Sequence, residues 1–153
     1  MRYAVGCDHA GLPLKAPLVA ELEARGHEIH DLGTHGPESV DYPLFAGRVA
    51  CAVRDGRADM GLLLCGTGLG MAIAANRVEG VRAVAVSEPF SARMARAHND
   101  ANVLCMGARV VGPGAAVEIL GVWMDQVFEG GRHQRRVDMM MNPEDCGDEG
   151  TRP

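Results

Sequence analysis

Six residues, Met60-Gly61-Leu62-Leu63-Leu64-Cys65, form an unbroken apolar run that is entered through Asp59 and closed by Gly66-Thr67-Gly68-Leu69-Gly70. A run this short, with no alternation of apolar and polar residues, belongs to a strand covered on both faces. Such strands occur in parallel sheets with helices above and below, so the run points to a central strand of an α/β domain. The rest of the chain repeats the theme. Tyr3-Ala4-Val5-Gly6-Cys7 and residues 27–32, 82–86 and 102–106 read as four more strands. Leu14, Leu18 and Leu22 mark a helix over 13–25 that opens on Pro13 and stops at Gly26, and Phe45, Val49 and Val53 mark another over 42–54. Further helices are expected over 71–76, 88–97, 113–128 and 132–141, with Gly130-Gly131 breaking the last two apart.

Strands separated by helices predict a three-layer, Rossmann-like α/β fold. Its five-stranded parallel sheet has the order 2-1-3-4-5, right-handed crossovers and an extra C-terminal helix. Residues 1–141 are then one domain, and the polar stretch 142–153 a disordered tail. In that order the sheet reverses direction between the first and third strands, and ligands in such sheets bind beyond the carboxyl ends there. Those ends are Asp8-His9 and Cys65-Gly66-Thr67-Gly68.

With 15 Lys and Arg against 20 Asp and Glu, the net charge of -5 is spread along the chain, which sets aside a nucleic-acid footprint or a patch for anionic membranes. An acidic substrate must be held locally. No stretch of ~18 apolar residues occurs, the N-terminal apolar run is too short for a secretory leader, and five cysteines without C-x-x-C spacing fit reduced thiols. A cytoplasmic protein is expected.

Cys65 combines a strand end with a glycine-rich helix start, where amides and the helix dipole favour a thiolate. It is a candidate base or nucleophile; the plainer reading is a structural thiol, the one kept for Cys7, Cys51, Cys105 and Cys146. Gly66, Gly68 and Gly70 let the backbone approach a phosphate or an oxyanion closely. As a dinucleotide fingerprint the loop fails at Met71, although Glu88 stands where a ribose-binding acid would. His27-Glu28-Ile29-His30 places its histidines on opposite faces of an expected strand, so no metal site is expected. Arg132 and Arg136, four apart on one helix, have the spacing to grip a phosphate or simply to form a solvated basic face. His98-Asn99-Asp100, just before the fifth strand, reads either as polar site groups or as a plain helix terminus.

Seven blocks in order resemble ribose-5-phosphate isomerase type B: Gly6-Cys7-Asp8-His9-Ala10-Gly11, Asp41-Tyr42-Pro43, Cys65 to Gly70, Ala74-Ala75-Asn76, Ser87-Glu88-Pro89, His98-Asn99-Asp100 and Gly131-Arg132-His133-Gln134-Arg135-Arg136. The likeness covers residues 1–141. The resemblance implies a cofactor-free aldose-ketose isomerase of pentose phosphate metabolism, active on ribose 5-phosphate and ribulose 5-phosphate through a cis-enediolate. Cys65 would match the base, and Thr67 with the amides of Gly66, Gly68, Leu69 and Gly70 the anion hole. Asp8 and His98 would match the ring-opening pair, Asn99 and Tyr42 would contact hydroxyls, and His9, Arg109, Arg132 and Arg136 would contact phosphate or substrate. One branch of the family uses a glutamate base shortly after the glycine loop; Met71 stands there, which favours Cys65. Isomerases of galactose or allose 6-phosphate and of tetrulose phosphates share the family and remain alternatives. A non-catalytic sugar-phosphate or nucleotide binding module is the rival from another class. The resemblance also implies a homodimer or a tetramer. Cys65 and Asp8 belong to the carboxyl edge of the sheet and His98-Asn99 to the amino edge, so the site is expected to be shared between subunits.

Overall fold

The computed structural model describes residues 1–142, so all but Asn142 of the stretch 142–153, expected to be a disordered tail, lies outside the described residues. The chain runs β1 (Arg2–Cys7), α1 (Leu12–Ala24), β2 (Glu28–Asp31), α2 (Tyr42–Arg54), β3 (Met60–Cys65), α3 (Leu69–Ala75), β4 (Ala83–Ala85), α4 (Pro89–Asn99), β5 (Val103–Gly107), α5 (Pro113–Met124) and α6 (Arg132–Met141). All four strand pairings are parallel.

The apolar run of β3 resolves into two alternating sets. Leu62 and Leu64 join Tyr3, Val5 and Leu104 in a core under α1, α4 and α5, closed by Leu14, Leu18, Ile119 and Trp123. Leu63 and Cys65 face the other way, into a core with Phe45, Val49 and Met71 under α2 and α3. On that second face the sheet is built from small residues. A Cβ on Gly61 would stand 2.8 Å from Val49 Cγ1, so the α2 backbone sits close to the strands only because no side chain is there.

The sheet order is β2-β1-β3-β5-β4, so the expected order is corrected in its last two strands while the fold class stands. Connections that step toward β4 cross on the α2/α3 face, whereas the return step from β4 to β5 places α4 on the opposite face, as right-handed crossovers require. The reason is burial. Every residue of β5 is buried, whereas β4 is three residues long and partly exposed, which makes β5 the interior strand and β4 the edge. The outward-facing N–H and C=O of Ala83 in β4 are taken by the Asn76 side chain, at 2.7 and 2.8 Å. Helix ends differ from expectation too: α5 stops at Met124 instead of 128, and α4 runs on to Asn99.

Burial raises the Tyr3 phenol above its ordinary 10.0 and the Cys7 and Cys105 thiols above their ordinary 9.0. The unfolded chain releases these protons first, so their contribution to stability is complete below about pH 9 and is lost as pH rises through the folded values. The melting temperature is expected to fall progressively above about pH 9, and a level profile to about pH 10.5 would contradict this account of the core.

Candidate active site

Cys65 ends β3 and pairs with Gly107 at the end of β5. The chain then turns through Gly66 and Thr67 into Gly68, whose backbone is left-handed at φ 80° and which caps α3. That turn brings the Gly68 amide back onto Cys65, donating to Sγ at 3.1 Å in a buried setting. The Leu69 amide donates to Thr67 Oγ1 at 3.4 Å, which leaves the Thr67 hydroxyl proton available to a ligand. A Cβ on Gly107 would collide with the Thr67 backbone, so the β5 glycine fixes how tightly the loop lies against the sheet.

Asp8 follows β1, and its buried carboxylate accepts the Gly11 amide at 2.9 Å, tying it to the start of α1. His9 Nδ1 accepts the Val40 amide at 3.2 Å, so the neutral ring carries its proton on Nε2. Tyr42 opens α2, and its ring lies over Gly70, where a Cβ would stand 2.7 Å from it. Arg109 arrives because β5, not β4, neighbours β3. The Ala108 and Arg109 amides donate to the Cys65 and Gly66 carbonyls at 2.8 and 3.0 Å, and the guanidinium lies beside Gly66.

These ends enclose a cavity of about 380 Å³ lined by Asp8, His9, Tyr42, Cys65, Thr67 and Arg109, with Ala10, Gly66 and Gly70 between them. Of the other sequence-predicted residues, Gly68 and Leu69 complete the loop. His98, Asn99, Arg132 and Arg136 are not brought to this cavity. From Gly107, the partner of Cys65, back to Val103 the strand spans about 13 Å, and His98 lies further back along the chain at the end of α4.

This second group has its own architecture. Asp100 ends α4 in a left-handed conformation at φ 44° and binds Arg82 at 2.8 Å and Arg96 at 2.9 Å, clamping the turn that carries His98 and Asn99. The His98 ring stacks on that of His133 with centroids 4.1 Å apart and planes 6° from parallel. His133 is buried, and Glu129 Oε2 stands 3.7 Å from Nε2 of both rings. Sequence reasoning assigns no role of its own to Glu129 or to His133, and no local spacing links either to His98. Arg132 and Arg136 are exposed on α6, one turn apart as their spacing predicts. Glu88, by contrast, is no ribose-binding acid in this structure. Its carboxylate caps α4 through the Ser91 and Phe90 amides at 2.7 and 2.6 Å, and the Ser91 bond lowers its pKa.

Cys7 and Cys105 are buried and free, and Cys51 is half-buried and free; Cys146 lies outside the described residues. His27 packs against Tyr3 ahead of β2, and His30 lies within β2. Among the described residues neither joins a group of three side chains able to hold a metal ion. Among the same residues no helix is long and apolar enough to cross a membrane.

A profile of the Ribose/Galactose Isomerase family matches residues 3–140. The chain is 52% identical over 137 residues to ribose-5-phosphate isomerase B of Escherichia coli, covering 90% of this chain and 92% of that protein. It is 42% identical to D-erythrulose-4-phosphate isomerase of Pectobacterium atrosepticum, covering 90% and 91%. Its fold superimposes on ribose-5-phosphate isomerase B of Clostridium thermocellum with a TM-score of 0.92 at 49% identity, covering 94% of this chain and 97% of the other. A match spanning nearly all of the described sheet and helices, at these identities, shows that the chain belongs to the ribose/galactose isomerase family.

Proposed function

We propose that this chain interconverts ribose 5-phosphate and ribulose 5-phosphate. The observation that carries the reading is the Cys65 thiol, facing an amide donor inside a cavity that also holds Asp8, Thr67 and Arg109. In this reading Asp8 and His98 move the protons that open the sugar ring. Cys65 then takes the proton from C2 and returns it to C1. The charge that develops on the enediolate oxygen is met by the Thr67 hydroxyl and the loop amides from Gly66 to Gly70, donors fixed in place before the reaction starts. Tyr42 and Asn99 contact hydroxyls, and His9, Arg109, Arg132 and Arg136 hold the substrate and its phosphate, with guanidinium forks suited to that ester. No cofactor is invoked. A reducing, cytoplasmic setting keeps the thiol in its working form.

Because Asp8 and Cys65 lie at one edge of the sheet and His98 at the other, the working unit in this reading is a homodimer. His98 and Asn99 of the partner subunit complete the site built on Cys65. Exposed apolar side chains support the pairing. Tyr42, Leu44, Leu69, Ile73 and Val110 lie on or beside the elements that line the Cys65 cavity, and Phe90 and Met139 stand on the helices that carry His98 and Arg132. Exposed apolar side chains on the elements at both halves of a divided site are what a subunit contact would cover.

The 42% identity to a D-erythrulose-4-phosphate isomerase favours a four-carbon substrate as the second reading. A coupled assay on four-, five- and six-carbon aldose phosphates decides between them, and the five-carbon sugar is expected to have the highest kcat/KM. His98→Asn adds a test of role. It is expected to lose at least ~30-fold on the ring-forming pentose phosphate and much less on a tetrose phosphate too short to close that ring. Equal losses on both would remove His98 from ring opening.

A further inference from the structure

Outside the Cys65 cavity, among the described residues, His98, Glu129 and His133 form a group whose donor atoms all lie within 4.8 Å of one another. Two histidines and a glutamate are a possible metal set, but two features turn this group away from a cation. The rings are parallel, so their in-plane lone pairs run side by side instead of converging on one ion. The Nε2 of His133 is also already engaged, accepting Nε–H of Arg132 at 3.4 Å.

That contact fixes more than a distance. A guanidinium N–H only donates, so His133 must present its Nε2 lone pair, and the neutral ring then carries its proton on Nδ1. Anchoring Arg132 through Nε leaves both of its Nη groups for an incoming anion. A face of the same imidazole carries the His98 ring, and the Glu129 amide donates to the Ala97 carbonyl at 3.0 Å, pinning the segment before α6 to the end of α4.

We propose that His133 is a positioning residue that works in its neutral Nδ1–H form, with its Nε2 lone pair orienting Arg132 for phosphate and its ring face orienting His98. The proposal rests on the isomerase reading for what Arg132 and His98 go on to do. The groups that face His133 are His98 from α4, Glu129 from the segment before α6, and Arg132 and Arg136 from α6 itself. Burial, then His98 and Arg132, press the imidazole below its ordinary range, and Glu129 opposes them.

Two substitutions separate the two tasks. His133→Phe keeps a flat face for His98 but offers Arg132 no acceptor. It is expected to weaken competitive inhibition by inorganic phosphate and to raise KM by about tenfold, with the pH profile of kcat unchanged. His133→Gln keeps an oxygen or nitrogen near the Nε2 position but removes the ring. It is expected to hold phosphate inhibition within about twofold of the parent while lowering kcat on ribose 5-phosphate and shifting its pH profile. Loss of both properties together, in the same proportion, in both variants would overturn the proposal in favour of a merely structural histidine. The third arm uses the unmodified protein: nitrogen-15 spectra of the histidines at neutral pH should show His133 neutral and protonated on Nδ1, and an Nε2–H form would overturn the assignment. The spectra and phosphate binding need no turnover. Failure of the isomerase reading would show separately, as a parent protein inactive on every sugar phosphate tried.

Discussion

Cys65→Ala is expected to lose isomerisation by at least ~100-fold, the usual scale for removing a general base, while binding of a non-reacting phosphate ester stays near its original value. In the proposed reading the two quantities separate because the substituted atom acts on C1 and C2, whereas arginines that the change leaves in place hold the ester. The Gly68 amide that donates to Sγ at 3.1 Å would lose its acceptor, so the alanine protein should be compared by melting temperature before its rate is read. Alkylation gives a second view of the same group. Iodoacetamide should label Cys65 ahead of Cys7 and Cys105, which are buried and whose thiols burial raises, and a sugar phosphate should protect it. Near-parental turnover in Cys65→Ala, or labelling of Cys51 alone, would remove the base from this position.

The second large effect is a recovery. Cys65→Ala and His98→Asn chains, each inactive alone, are expected to regain roughly a quarter of parental activity when mixed under conditions that exchange subunits. In a mixed pair one site carries both defects and the other neither, and random pairing makes half of the dimers mixed. The basis is the parallel sheet: Cys65 ends β3 at one edge, and His98 precedes β5 at the other. No recovery after confirmed exchange would mean that His98 serves its own chain or none.

Much of this architecture is legible in the residues alone. The spans 42–54 and 132–141 coincide with α2 and α6, because each has a clear start, Asp41-Tyr42-Pro43 in one case and Gly131 in the other, and a regular apolar or basic spacing. Asp8, His9, Tyr42, Cys65 and Thr67, candidates that stand in the quoted motifs, share one cavity with Arg109, a candidate only through the family resemblance. The order of β4 and β5 departs from expectation although its signal is present. Val103-Leu104-Cys105-Met106 is as continuous an apolar run as the one that identifies β3, whereas Ala83-Val84-Ala85 is short. One criterion applied to both runs places β5 inside and explains why Arg109 lies beside Gly66 in the Cys65 cavity. The His98–His133 stack has no such signal. It depends on where α6 settles against α4 after the 125–131 segment, a distance set by tertiary packing and not by any local spacing. The capping of α4 by Glu88 is hidden for another reason: a strand-end carboxylate reads alike whether it serves a ribose or a helix start, and only the Phe90 and Ser91 amides decide.

The bond pair between Asn76 and Ala83 bears on how these molecules meet one another. An open strand edge invites another chain to add its own strand, and that kind of growth has no stopping rule, since each addition exposes a fresh edge. At β4 the Asn76 amide group takes the place of the next strand, answering both the N–H and the C=O of Ala83 from within the same chain. Association on this side of the sheet is thereby turned from backbone templating toward the meeting of side-chain surfaces. Surfaces of that kind can be self-complementary, and contact between two of them leaves nothing further to extend.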